Sequence, residues 1–113
     1  MQPVQILEKC ESLEIKRKKK IQPDYVELVF YTRDTAAWMK LLSGIFGKAV
    51  KPTWQKPNDH DCRLTKQFGG IRIEQTLFMK DFQEYIVLAM VWPWKDKILS
   101  SLKIPLIKAV QKV

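Results

Sequence analysis

The chain has 113 residues, 46% of them hydrophobic and 28% charged, a balance that suits one folded core and excludes a disordered polymer. Twenty Lys and Arg against twelve Asp and Glu give a formal charge of +8. Such a surface attracts polyanions, but sixteen of the twenty cations are Lys, which favours diffuse attraction over bidentate recognition of phosphates or bases by Arg.

The longest unbroken apolar run, Ile86 to Trp92, falls far short of the roughly 20 residues of a membrane span. The N-terminus has no apolar segment followed by small residues, so the chain reads as lacking a secretory leader and as cytoplasmic. Cys10 and Cys62 belong to no zinc or redox spacing, and two free thiols are expected in a reducing compartment.

In chain order, the first 23 residues form a basic segment ahead of the core. Ile6, Leu7, Cys10 and Leu13 follow helical spacing, whereas Leu13, Ile15 and Arg17 alternate as a strand would. Lys16, Arg17, Lys18, Lys19 and Lys20 have no apolar neighbour among them and must be solvated, and Pro23 breaks the chain before the next element. Tyr25 to Tyr31 is dense in aromatic and β-branched residues and predicts a strand with Val26, Leu28 and Phe30 on its buried face.

Arg33 to Phe46 predicts an amphipathic helix, with Trp38, Leu41, Leu42 and Ile45 in one stripe. Thr32 or Asp34 is its expected cap, and Gly47 its left-handed terminator. Lys48 to Trp54 leaves room for a short strand interrupted by Pro52. Cys62 to Met79 reads as a β-hairpin turning at Gly69-Gly70. Tyr85 to Trp92, the most apolar stretch, predicts the central strand. Beyond Trp92-Pro93-Trp94, the residues Ile98, Leu99, Leu102, Leu106, Ile107 and Val110 suggest a C-terminal helix, kinked or restarted at Pro105. The resulting expectation is an α+β domain over residues 1–113. It has a mostly antiparallel sheet of four to five strands with helices packed on one face, ferredoxin-like or a similar split sandwich.

Few residues suggest chemistry. Asp59-His60-Asp61-Cys62 is the only group of ligand-type side chains, and with one His in the chain it is too small for a metal site. The four Ser residues lie in no nucleophile elbow, and Gly69-Gly70 is no phosphate loop. No catalytic residue, metal or cofactor is therefore expected.

The features that do suggest a partner are basic and aromatic. Lys16, Arg17, Lys18, Lys19 and Lys20 suit phosphates, although a Lys-rich strand also serves to blunt a sheet edge. Trp54, flanked by Lys51 and Lys56 between Pro52 and Pro57, suits base stacking from a loop. Trp92 and Trp94, near Lys95 and Lys97, make a second such cluster. The leading expectation is a small non-catalytic binding module that engages nucleic acid or another polyanion through basic patches. The alternative is a protein-interaction or homodimerisation domain. Whether the basic stretches share one surface depends on the fold.

Overall fold

In the computed structural model, which describes residues 1–108, the chain runs α1 (Pro3–Lys9), β1 (Arg17–Gln22), β2 (Tyr25–Tyr31), α2 (Thr35–Phe46), α3 (Asp59–Thr65), β3 (Thr76–Asp81), β4 (Tyr85–Pro93) and β5 (Leu99–Lys108). The strands form one antiparallel sheet in the order β1-β2-β5-β4-β3. The expected α+β class and antiparallel sheet are what form. Among the described residues no helix is long and apolar enough to cross a membrane.

Alternation along the strands sends two apolar sets to opposite faces. Val26, Leu28 and Phe30 of β2 join Leu102 and Ile104 of β5, Val87, Ala89 and Val91 of β4, and Phe78 of β3 on the first face. Helices α1 and α2 close over it with Ile6, Leu7, Cys10, Trp38, Leu42 and Phe46. Trp38 is fully buried, its ring stacked on Phe30 at 4.9 Å between centroids. On the second face, Leu77, Leu88 and Met90 pack with Ile71, Leu64 and Phe68 from the α3 segment. Two helices thus share one face, and the short α3 covers part of the other.

Helix α2 starts two residues later than its sequence pattern predicts, behind a 3-10 turn at Thr32–Asp34. Neither expected cap is used. The Thr32 hydroxyl bonds to Ser100 Oγ instead, and Asp34 makes no side-chain cap. Gly47 does terminate the helix with positive φ, its N–H donating to Ser43 O.

Two expectations fail, one to a local capping signal and the other to long-range strand pairing. Cys62 to Gly70 is not a hairpin arm. Asn58 and Asp61 form a reciprocal capping box that starts α3, and Gly69 and Gly70 end the helical segment, donating to Lys66 O and Thr65 O. Gly69 has φ +103, and a Cβ there would lie 2.5 Å from the Trp92 ring, so the position admits only glycine.

Among the described residues the expected C-terminal helix does not form either. Leu99 to Lys108 is β5, the middle strand of the sheet, paired with β2 from Tyr25↔Pro105 to Tyr31↔Leu99 and with β4 on its other side. Tyr85 to Pro93 is interior to the sheet but lies beside that middle strand. Leu106 N–H points toward β2, donating to Asp24 O, so the Pro105 nitrogen faces β4. Pairing between β4 and β5 is interrupted there, between Val87↔Leu106 and Met90↔Lys103, because proline has no N–H to give. The register is the same on both sides of the gap. Val110, assigned to the helix by its spacing, lies outside the described residues.

Candidate functional site

Strand β1 carries the basic run at the edge of the sheet. Each of its residues is exposed, and Lys16 just before it donates its N–H to Val29 O. A bulge between Lys18 and Lys20 interrupts its pairing with β2, and bulges and lysines both discourage further strand addition at an edge. Among the described residues the ion pairs are Lys18–Glu11, Lys19–Glu27 and Arg33–Glu14. Lys16, Arg17 and Lys20 therefore keep their charge free of a carboxylate, although Lys20 lies 5.8 Å from the Tyr25 ring centroid.

Glu27 is the half-buried acid among these cations. Tyr25 donates its hydroxyl to it at 2.6 Å. Burial works against the charged carboxylate, but that bond together with Lys19 and Lys103 holds its pKa below the usual range. Burial and the same bond push the Tyr25 phenol up. Lys103 lies 3.4 Å from the Trp92 ring centroid and donates to Phe68 O, and desolvation lowers its pKa. This cluster welds β2 and β5 to the α3 segment.

Lys51 does not belong to any basic surface. Its side chain is fully buried, and the ammonium donates to the carbonyls of Ile73 and Gln75. Desolvation lowers its pKa, opposed by the charges of Glu74 and Asp61. Its backbone bridges to Leu77, so it stitches the 48–56 loop onto β3. Replacing Lys51 with Met, which keeps the bulk but loses the ammonium, leaves the Gln75 carbonyl without its donor, while Ile73 O keeps the Trp54 N–H. The expected loss is about 1–3 kcal/mol in denaturant unfolding, with no weakening of polyanion binding.

That stitching places Lys51 beyond β3, across the sheet from β1, roughly 24 Å away at five strand spacings, with Trp54 and Lys56 following it in the same loop. What the fold does unite is the pair of aromatic clusters. Trp54 and Trp94 line one cleft with Glu74, Pro93, Lys95 and Lys97, of about 250 Å³. Trp92 is not part of it, being half-buried under Gly69 and Lys103.

Each wall of the cleft is held by specific contacts. Trp54 is 72% exposed and sits at φ +68, a left-handed conformation unusual for a bulky residue. Its N–H donates to Ile73 O at 2.7 Å, and Gln55 N–H closes the turn back to Pro52 O. Trp94 begins the β4–β5 turn. Lys97 N–H bonds to Trp94 O, Lys97 is also left-handed, and the Asp96 carboxylate accepts from Ile98 and Leu99. The Trp94 indole donates to Ser101 Oγ at 2.8 Å, which fixes the ring. Strain of this kind, about 1–3 kcal/mol per residue, persists only where neighbouring contacts over-determine it.

The same turn leads to the other cations. Ile98 O accepts the Thr32 N–H at 2.8 Å, Arg33 follows, and its guanidinium reaches Glu14, just ahead of Lys16. Lys95, Lys97, Arg33, Lys16 and Arg17 thus follow one end of the sheet from the Trp cleft to the start of β1. The start of the β1 run and the β4–β5 turn share one end of the sheet, whereas Lys51 of the middle basic stretch is buried. Sequence spacing missed this because it depends on β5 lying between β4 and β2.

The described residues hold no group of three His, Cys, Asp or Glu placed to bind a metal. Comparison with protein families, with curated proteins and with solved structures found no match for this chain.

Proposed function

We propose that this protein is a non-catalytic module that binds single-stranded nucleic acid, with a base stacked in the Trp54–Trp94 cleft and the phosphates following the cationic rim. The observation that carries this reading is the convergence of two indoles from separate loops with Lys95 and Lys97 at one cleft. Stacking on aromatic rings and a basic track for the backbone are the two requirements of sequence-tolerant single-strand binding. The free cations of β1 extend the track at its far end, and Lys56 lies in the Trp54 loop.

Titration with a uridine oligonucleotide, followed by tryptophan fluorescence, tests the reading. Binding is expected to quench the indoles and to weaken with salt, with a log–log slope of about −3 if four phosphates are neutralised. Trp54→Ala is expected to cost about 1–3 kcal/mol of affinity, the contribution of one stacked base. No binding at low ionic strength overturns the reading.

A second reading has its own observation. Trp54, Ile73 and Ile98 are 72%, 47% and 62% exposed, more apolar surface than a binding module for phosphates requires. It makes this end of the sheet a self-association surface. Sedimentation over a wide concentration range distinguishes the two: a symmetric dimer that protects Trp54 from quenchers favours the second.

A further inference from the structure

Glu74 is out of place in a cleft built only for phosphate and stacking. It lines the same cavity as the two indoles, is half-buried, and forms none of the ion pairs found among the described residues. Lys51 feels its charge, yet from beyond ion-pair distance, because the Lys51 ammonium is committed to the Ile73 and Gln75 carbonyls. A carboxylate presents only acceptors, two oxygens side by side. It therefore discriminates among bases by the donors they offer.

The bases differ sharply in this respect. On its pairing edge guanine carries two adjacent donors, the ring N1–H and the exocyclic N2 amino group. Adenine offers one amino group beside a ring acceptor, cytosine likewise, and uracil a single N–H between two carbonyls. Only guanine matches a carboxylate in bidentate fashion, while the other three set an acceptor against it. The cavity volume of about 250 Å³ is below the roughly 300–1,000 Å³ of drug-sized sites, enough for one ring system with its phosphates outside. Lys95 and Lys97 stand at that outer edge, exposed.

We propose that the Trp54–Trp94 cleft selects guanine, with the base between the indoles, its N1–H and N2 amino group donating to Glu74, and the adjoining phosphates on Lys95 and Lys97. This rests on the single-strand reading above and names the base that its cleft prefers.

The experiment compares an octauridine with the same oligonucleotide carrying one internal guanosine, by tryptophan quenching and by fluorescence anisotropy. The single guanosine is expected to tighten binding about tenfold, the discrimination of one good bidentate pair. Inosine, which lacks the N2 amino group, is expected to lose most of that gain. In Glu74→Gln, whose amide sets a donor against guanine, the ratio is expected to fall to about one. Circular dichroism checks that the variant is folded.

Guanosine monophosphate, which carries the base without the chain, is expected to compete at least about tenfold more weakly than the oligonucleotide, since it lacks the rim contacts. Equal competition would overturn the strand as the source of the base. If octauridine binds but guanosine adds nothing, or if Glu74→Gln keeps the preference, guanine selection is overturned and single-strand binding stands. If neither oligonucleotide binds, both are overturned.

Discussion

Ile104→Ala is expected to destabilise the protein by about 2–5 kcal/mol, whereas Ile98→Ala changes its stability by less than about 0.5 kcal/mol. The contrast separates two architectures for the C-terminal segment. As an amphipathic helix, its apolar stripe contains Ile98 and omits Ile104. As the middle strand, it buries Ile104 completely beside Val26 of β2, while Ile98 lies in the preceding turn, 62% exposed. Ile104 is also next to the ladder gap at Pro105, where β4 and β5 are held by side-chain packing rather than by hydrogen bonds. The surrounding sheet is fixed by pairing on both sides and has little freedom to close over a cavity, which places the cost toward the upper part of that range. Urea unfolding of the two variants, followed by far-UV circular dichroism, measures the difference. Equal small effects would contradict the strand.

The second large effect is expected at alkaline pH. Burial on the α1 side of the core, with Glu11 adding its charge, pushes the Cys10 thiol up to about 12. In the unfolded chain a thiol ionises near 8.5. Between those values the unfolded chain has released a proton that the folded one retains, so stability falls as pH rises. The contribution is fully present below about pH 8.5 and is lost progressively up to about pH 12, some 5 kcal/mol in all at 1.36 kcal/mol per unit.

Tyr25, pushed up by burial and by its bond to Glu27, adds a loss of the same sign at higher pH. Lys51 and Lys103 act oppositely, because their lowered pKa values mean that the folded state binds fewer protons. Cys10→Ala isolates the thiol. Its guanidinium unfolding free energy is expected to decline less steeply than that of the native protein from about pH 8.5 upward. The same burial leaves Cys62, exposed on α3 and free, as the thiol that reacts in the folded state, with Cys10 reacting only on unfolding.

Several elements are legible in the sequence because they are decided locally. Tyr25 to Tyr31 alternates with enough β-branched and aromatic weight to be a strand in any context, and Trp38, Leu42 and Gly47 define a helix and its end. The basic run must be solvated wherever it lies, and it forms an exposed edge strand. The aromatic–basic loops around Trp54 and Trp94 are also visible as separate candidates. Where sequence reading fails, two patterns of comparable local quality compete. Leu99, Leu102 and Leu106 fit a helix, Leu102, Ile104 and Leu106 fit a strand, and Pro105 is awkward for both. The decision comes from pairing with Tyr25–Tyr31, 68 to 80 residues earlier in the chain, which no local pattern contains. Cys62 to Gly70 is misread for the opposite reason: the Gly69-Gly70 turn signal outweighs a real capping signal at Asn58 and Asp61.

By itself, then, the sequence determines the class of the domain, its strongest strand and helix, its positive charge and the stock of basic and aromatic side chains. Only the tertiary structure decides which of them meet. Lys51 looks like a surface cation until carbonyls from the Ile73–Gln75 turn fold around it, because a long amphipathic side chain is polar or buried according to what surrounds it. Trp54 and Trp94, some 40 residues apart, become walls of one cleft because the loop before α3 is stitched to β3 while the β4–β5 turn closes beside it. Glu74 joins the same cleft through that non-local closure.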